Sequence, residues 1–261
     1  MSSWGTNRSQ RREHKLINDA VVCAIALEED LYIDEWITYN LRLGFSHIYI
    51  YDNSDNNSLR NKKSDRVTVI HFPGETKMLQ SRDIFTLQYK NKHKWCAFID
   101  IDEFIVLKKH KNIMEFLNEY DCDAVALNWL MFGTSNEKEY RDEPVTKRFT
   151  YCSKDINKHY KCISKLKSIN IHISPHKPLI KGNIYDTNRK VITDIFNPDG
   201  DYNIACIHHY WTKSEDEYKN KIQRRTPDET PMRSIDLDIH SQFNDIYNSD
   251  AWDFYNLCPF E

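Results

Sequence analysis

"CAFIDIDEF", residues 96–104, decides how the rest of the chain is read. Cys96 to Ile99 form an apolar run of the kind a buried strand makes, and the run ends in three carboxylates within four residues, Asp100, Asp102 and Glu103. Half-buried carboxylates repel one another and are costly to desolvate, so such a cluster persists only with a cation, a hydrogen-bond donor or a shared proton. An Asp-x-Asp closing a strand suits a divalent ion, because hard oxygen ligands match Mg²⁺ or Mn²⁺ and the ion can neutralise a diphosphate leaving group. A turn or helix-cap cluster is the plainer alternative.

Upstream, "AVVCAIALE" (20–28) is a continuous apolar run. It is followed by Ile33, Trp36, Ile37, Leu41 and Phe45 at helical spacing, with Gly44 as a stop. "HIYIYDN" (47–53) and "RVTVIHF" (66–72) read as strands two and three, 75–91 as a helix and "WCAFIDID" (95–102) as strand four. Alternating strand and helix implies parallel strands joined by crossovers, with ligands at the strands' carboxyl ends. Glu28, Glu29, Asp52 and the 100–103 cluster all fall at such ends. Further on, 112–120 and 215–225 read as helices, and 123–133, "RFTYC" (148–152) and "INIHIS" (169–174) as strands.

The chain has 261 residues, 40% of them hydrophobic, enough for a sizeable core. Its 36 basic and 39 acidic residues nearly cancel, to a net charge of −3, which argues against bulk nucleic-acid binding. Seven scattered cysteines with no Cys-x-x-Cys pair suggest a reduced, cytoplasmic protein without a zinc site. No apolar run is long enough to span a bilayer. The leader "MSSWGTNRSQRREHK" reads as a solvated tail, a peripheral contact with an anionic membrane being the alternative. The expected organisation is a polar arm over 1–18, a single α/β domain over 19–225 (a nucleotide-binding half, 19–107, and an acceptor half, 108–225), and an extension over 226–261.

A second constellation is "IACIHHYWTKS" (204–214), in which paired histidines follow an apolar run and Lys213 comes four residues after His209. Imidazole can complete a metal site begun by carboxylates, and a lysine can hold phosphate as a point charge. Either histidine could equally be an ordinary hydrogen-bonded core residue. Asp52 is placed to accept from a ligand N–H or hydroxyl, or to form a turn. Arg82, Lys165 and Lys167 are phosphate candidates or solvated charges. Trp129, Phe132 and Trp211 could stack on a sugar or base, though aromatics at strand positions are mostly core.

Taken together, "ALEEDLYIDEWITYNLRLGFSHIYIYDN", "FIDIDEFI", "ALNWLMFG" and "HHYWTKS" resemble the nucleotide-sugar glycosyltransferases of the GT-A fold, related to families 2 and 92. The resemblance runs from about Val21 to about Arg225. It implies a Rossmann-like, mixed but mostly parallel sheet flanked by helices, and a bound Mn²⁺ or Mg²⁺. It also implies site residues: Asp52 at the nucleotide base, Glu28 beside the nucleoside, Asp100 nearer the ribose, Asp100 and Asp102 as the metal motif, His209 as the late metal ligand, and Lys213 on the diphosphate. Gln80 and Lys167 match positions near the donor. Where the family opens Lys-Asn-Glu, this chain has Leu27-Glu28-Glu29, and the loop "TSNEKEYRDEP" after Gly133 matches nothing in it.

The implied reaction moves a hexose from a nucleoside diphosphate sugar, a UDP-sugar foremost, to a glycan or other acceptor hydroxyl with inversion. Glu137, Asp142 and Glu143 in the acceptor-side loop are the candidate bases; Glu103 sits too close to the metal motif. A metal-dependent phosphohydrolase and a non-catalytic carbohydrate-binding protein are the rival readings.

Overall fold

Strand β1 (Ile17–Ala26) is buried without a break from Asp19 onward, which a strand covered on both faces and paired on both edges requires. Its neighbours are β2 (His47–Asp52) and β4 (His93–Phe98), both parallel, with Val21 opposite His47 on one side and Cys96 on the other. Helix α1 (Ile33–Arg42) makes the first crossover and buries Ile33, Trp36 and Tyr39. It stops at Gly44, whose φ of +100° is open to glycine at little cost. β3 (Val67–His71) continues the parallel run beyond β2, and α2 (Met78–Tyr89) leads into β4. The structure is a computed structural model and describes residues 17–75, 77–223 and 242–257.

The remaining elements are β5 (Glu103–Leu107), α3 (Ile113–Leu117), β6 (Ala124–Met131), α4 (Val145–Arg148), β7 (Tyr151–Cys152) and β8 (Tyr160–Lys165). They continue through β9 (Ile169–His172), β10 (Pro178–Ile180), β11 (Ile184–Tyr185), β12 (Ala205–His209), α5 (Glu215–Gln223), β13 (Ile246–Tyr247) and α6 (Asp250–Leu257). Among the described residues the main sheet has nine strands in the order β3-β2-β1-β4-β8-β6-β12-β5, with β11 also on β6. Only the pairings β4–β8, β6–β8 and β12–β5 are antiparallel. This is the mixed, mostly parallel α/β sheet of the GT-A type, in a single domain.

Three details depart from the sequence reading. The fourth strand ends at Phe98 rather than Asp102: the Glu103 N–H returns to the Asp100 carbonyl at 3.1 Å, so Asp100 and Asp102 occupy a turn between β4 and β5. β8 was not foreseen, although it lies in mid-sheet between β4 and β6. Arg148 belongs to the short helix α4, leaving only Tyr151 and Cys152 of "RFTYC" in a strand.

The arm over 1–18 falls outside the described residues apart from its last two, which open β1; of the extension over 226–261 only 242–257 is described. That part is not a separate appendage. β13 pairs with β7, Arg42 donates to the Tyr255 carbonyl, and Lys108 pairs with Asp250. A side chain at Gly133 would meet Asn244 Oδ1 and the Gln242 carbonyl at 2.4 Å, so glycine lets the returning segment lie against the end of β6.

Candidate active site

The β4–β5 turn lies against α5, through Lys221, and against the end of β12, through His209. Asp102 Oδ1 is 3.5 Å from His209 Nε2 and Oδ2 is 2.5 Å from Lys221 Nζ, so residues 107 and 119 positions downstream meet one carboxylate. β12 places His209 there by lying beside β5, with His209 opposite Glu103. His208, on the other face, is fully buried against Phe132 and Tyr210. Burial would raise the Asp102 carboxyl, but Lys221, His209 and Lys213 together hold it well below the usual range. Burial outweighs Asp102 at His209 and lowers its imidazole, keeping it neutral, the form that binds metals.

Asp100 has different partners. Oδ2 accepts from Lys161 Nζ at 2.7 Å and Oδ1 lies 3.4 Å from Arg82. Lys161 and Arg82 outweigh its burial and lower its carboxyl. Glu103 is fully buried; Oε2 accepts the Asp100 N–H at 2.8 Å, while Oε1 lies 3.6 Å from Lys161 without a hydrogen bond. Burial, reinforced by Asp100 and Asp102, pushes it up to about 8 despite Lys161. A neutral, enclosed acid of this kind has no path to an acceptor. Three clustered carboxylates are thus tolerated here through two lysines, an arginine and a proton.

Beside this turn opens a cleft of about 220 Å³, lined by Glu28, Tyr32, Tyr140, Lys213, Asp216 and Lys221, among others. Lys213 is 3% exposed, with its ammonium 4.1 Å from the centre of the Tyr32 ring. Glu28 and Lys213 both have φ near +55°, in the left-handed region that residues with a Cβ rarely adopt, and both line this one cleft. The wall is fixed from behind by Glu217. It takes both Arg148 nitrogens at 2.7 and 3.2 Å, the Tyr32 hydroxyl at 2.8 Å and the Ser214 hydroxyl at 2.5 Å.

The profile of glycosyltransferase family 92 matches residues 18–244, most of the chain. The chain belongs to that family. A family 92 protein of Ricinus communis is 22% identical over 240 residues, covering 85% of this chain and 40% of its own length. Another, of Oryza sativa subsp. japonica, is 24% identical over 189 residues, 67% of this chain and 32% of its own. The chain therefore spans about two fifths or less of these curated relatives. Solved structures overlap more loosely. Staphylococcus aureus TarS 1–349 aligns at 14% identity and a TM-score of 0.36, over 57% of this chain and 47% of its own. HddC of Yersinia pseudotuberculosis aligns at 13% and 0.36, over 64% and 88%.

The remaining expected residues of this family 92 chain divide. Asp52 stands at the end of β2, yet it is fully buried, and its two oxygens accept the Ser54 and Leu59 N–H groups at 3.0 Å each. Its first task is to shape the 53–59 loop. Gln80 is exposed on the first turn of α2, paired with Lys77 at 2.9 Å. Lys167 is a correction. β8 runs antiparallel to β4 with Lys165 opposite Trp95, and Lys167 follows in a 3-10 turn, toward the amino end of β4 and away from the turn that holds Asp100. Lys161, at the other end of β8, is the lysine that contacts Asp100.

The loop acids, the expected base candidates, have partners of their own. Glu137 pairs with Arg141, Glu143 with Lys147 at 2.7 Å, and Asp142 accepts weakly from the Tyr140 hydroxyl at 3.4 Å; none of the three lines the cleft. The loop contributes Tyr140 to it instead, and the cleft's own acids are Glu28, Asp216 and Glu217. Lys161 and Lys221 were missed. The histidines allow a direct check. His209→Ala is expected to abolish metal-dependent UDP binding at near-normal stability, whereas His208→Ala, which empties a sealed site, is expected to cost about 2–4 kcal/mol and leave the nucleotide affinity of the folded fraction intact. Calorimetric titration beside thermal melts checks both, and the reverse pattern would exchange the two assignments.

Proposed function

We propose that this family 92 chain transfers a hexose from a nucleoside diphosphate sugar, a UDP-sugar foremost, to an acceptor hydroxyl with inversion, in the cytoplasm and with Mn²⁺ or Mg²⁺. The observation that carries the reading is the meeting of Asp102, from the β4–β5 turn, with His209 of β12 and Lys221 of α5, beside a cleft that Lys213 and Lys221 line. These residues fit a divalent ion. A carboxylate and a neutral imidazole 3.5 Å apart make a sufficient pair when the donor's phosphates supply further oxygens. Asp102 and His209 would hold the ion, while Asp100, with both oxygens already engaged, would orient the donor through Lys161. Once bound, the ion supplies charge neutralisation of the departing diphosphate.

The chain's own residues do the rest. Lys213, held in an uncommon backbone conformation and desolvated, presents a fixed positive charge where negative charge develops, which costs no reorganisation during the reaction. Tyr32 and Tyr140 give the cleft apolar walls against which a sugar face can lie. Chelator should abolish turnover of a UDP-hexose, and added Mn²⁺ or Mg²⁺ should restore it, in an assay of released UDP. Full activity in excess chelator would remove the metal from the proposal. Phosphate released from simple esters with nucleotide sugars untouched would favour a phosphohydrolase, and UDP-sugar binding without any turnover would favour a carbohydrate-binding protein.

A further inference from the structure

Lys221 has no chemical task of its own in the reading so far, yet its contact with Asp102 is among the shortest in the site. Its ammonium lies 2.5 Å from Asp102 Oδ2 and 3.0 Å from the Trp211 carbonyl, on a side chain only 15% exposed. Lys213 lines the same cleft, a like charge close enough to act on Lys221. Two desolvated ammonium groups therefore share one wall, and the carboxylate paired there is Asp102, the one assigned to the metal.

We propose that Lys221 is the resident counter-ion of Asp102 and exchanges that carboxylate for the donor's diphosphate, so that the divalent ion binds this site tightly only in company with the nucleotide. The inference rests on the donor reading above. A divalent ion arriving alone would have to displace Lys221 from Asp102 and leave a mostly buried ammonium with only the Trp211 carbonyl and ring and the charge of Glu29 to offset it, beside a second ammonium. An uncompensated buried charge is costly. A diphosphate arriving with the ion removes that cost, because its oxygens receive Lys221 and Lys213 while the ion takes Asp102. No bond is made or broken in the exchange; three charges change partners. α5 makes the motion local. Glu217, one turn before Lys221, anchors the helix to Arg148, so only the lysine side chain has to swing.

The test titrates Mn²⁺ alone, followed by the paramagnetic resonance signal of the free ion, and UDP with and without Mn²⁺, against wild type, Lys221→Met and Lys219→Met. Methionine keeps the apolar stem of lysine. Lys219 serves as the control, an exposed neighbour paired with Glu215 on the same helix. Wild type is expected to bind Mn²⁺ alone at least tenfold more weakly than in the presence of UDP. Lys221→Met is expected to bind Mn²⁺ alone roughly tenfold or more tightly than wild type does, and UDP in chelator roughly tenfold more weakly, while Lys219→Met matches wild type in both. Equal Mn²⁺ affinity in wild type and Lys221→Met overturns the exchange while leaving the donor reading in place. Failure of wild type to bind UDP even with Mn²⁺ overturns the donor reading and the exchange with it.

Discussion

Asp102→Asn is expected to lower UDP-hexose turnover by roughly 10³-fold with the fold intact, the largest catalytic effect of any single change in the site. The amide keeps the shape of the carboxylate but removes the charge that Lys221 contacts at 2.5 Å and that faces His209 at 3.5 Å. With Asn, the ion would lose its only anionic protein ligand, so the diphosphate would leave with less of its charge offset. Losing one preorganised electrostatic contact at the reacting centre commonly costs 10²–10³ in rate, and metal affinity falls as well. Two measurements separate this from unfolding: the thermal midpoint, and UDP affinity in chelator, which should persist because Lys213 and Lys221 remain. Asp100→Asn is the comparison. Its oxygens serve Lys161 and Arg82, so it should disturb donor affinity more than metal affinity. Equal metal-binding losses in the two variants would show the two aspartates acting as a pair on the ion.

What the sequence could reveal follows from how local each signal is. The buried run of β1, the helical spacing from Ile33 to Leu41 and the Gly44 stop are short-range patterns, and they reappear as expected. Asp102 and His209 were legible for another reason: their residue types at strand ends match a family pattern, although nothing local joins them. β8 was hidden because it is buried as far as Ser164 while Lys161 and Ser164 are polar, which erases the apolar signature of a central strand. Lys161 can be buried there because Asp100 and Glu103 await it, and that pairing spans some 60 residues. Lys221 was hidden in the opposite way. In "EDEYKNKIQ" it reads as one charge among many on a solvated helix, and only the docking of α5 over Asp102 sets it apart from Lys219. The loop acids misled because a run of unmatched charges after a strand looks like an acceptor wall, whereas here the charges mostly satisfy one another.

The largest stability effect is expected at Arg148→Met, about 3–5 kcal/mol, read from denaturant unfolding. Arg148 is fully buried, and its guanidinium holds Glu217 through two nitrogens and the Glu139 carbonyl at 3.2 Å through one of them. Its removal would leave the Glu217 carboxylate enclosed with only Tyr32 and Ser214 as donors, and stripping one partner from a buried pair costs about that much. The loss would not stay local. Glu217 ties α5 to α4 and to the start of α1, so a loosened α5 would carry Lys221 away from Asp102, and donor affinity should fall along with stability.

Two controls discriminate. The double variant Arg148→Met, Glu217→Met replaces the pair with apolar side chains and should recover much of the single variant's loss, since the cost lies in the stranded charge rather than in the missing attraction. The pH dependence should also show a sign. Burial alone would raise the Glu217 carboxyl, but its bonds to Arg148, Ser214 and Tyr32 more than offset this and lower it. The wild-type contribution is therefore complete above the carboxyl's unfolded-state pKa and lost as the pH falls through the lower folded-state value. Arg148→Met should flatten that part of the stability profile. A profile that keeps its acid slope in the variant, with stability lost by less than about 1 kcal/mol, would place the anchor of α5 elsewhere.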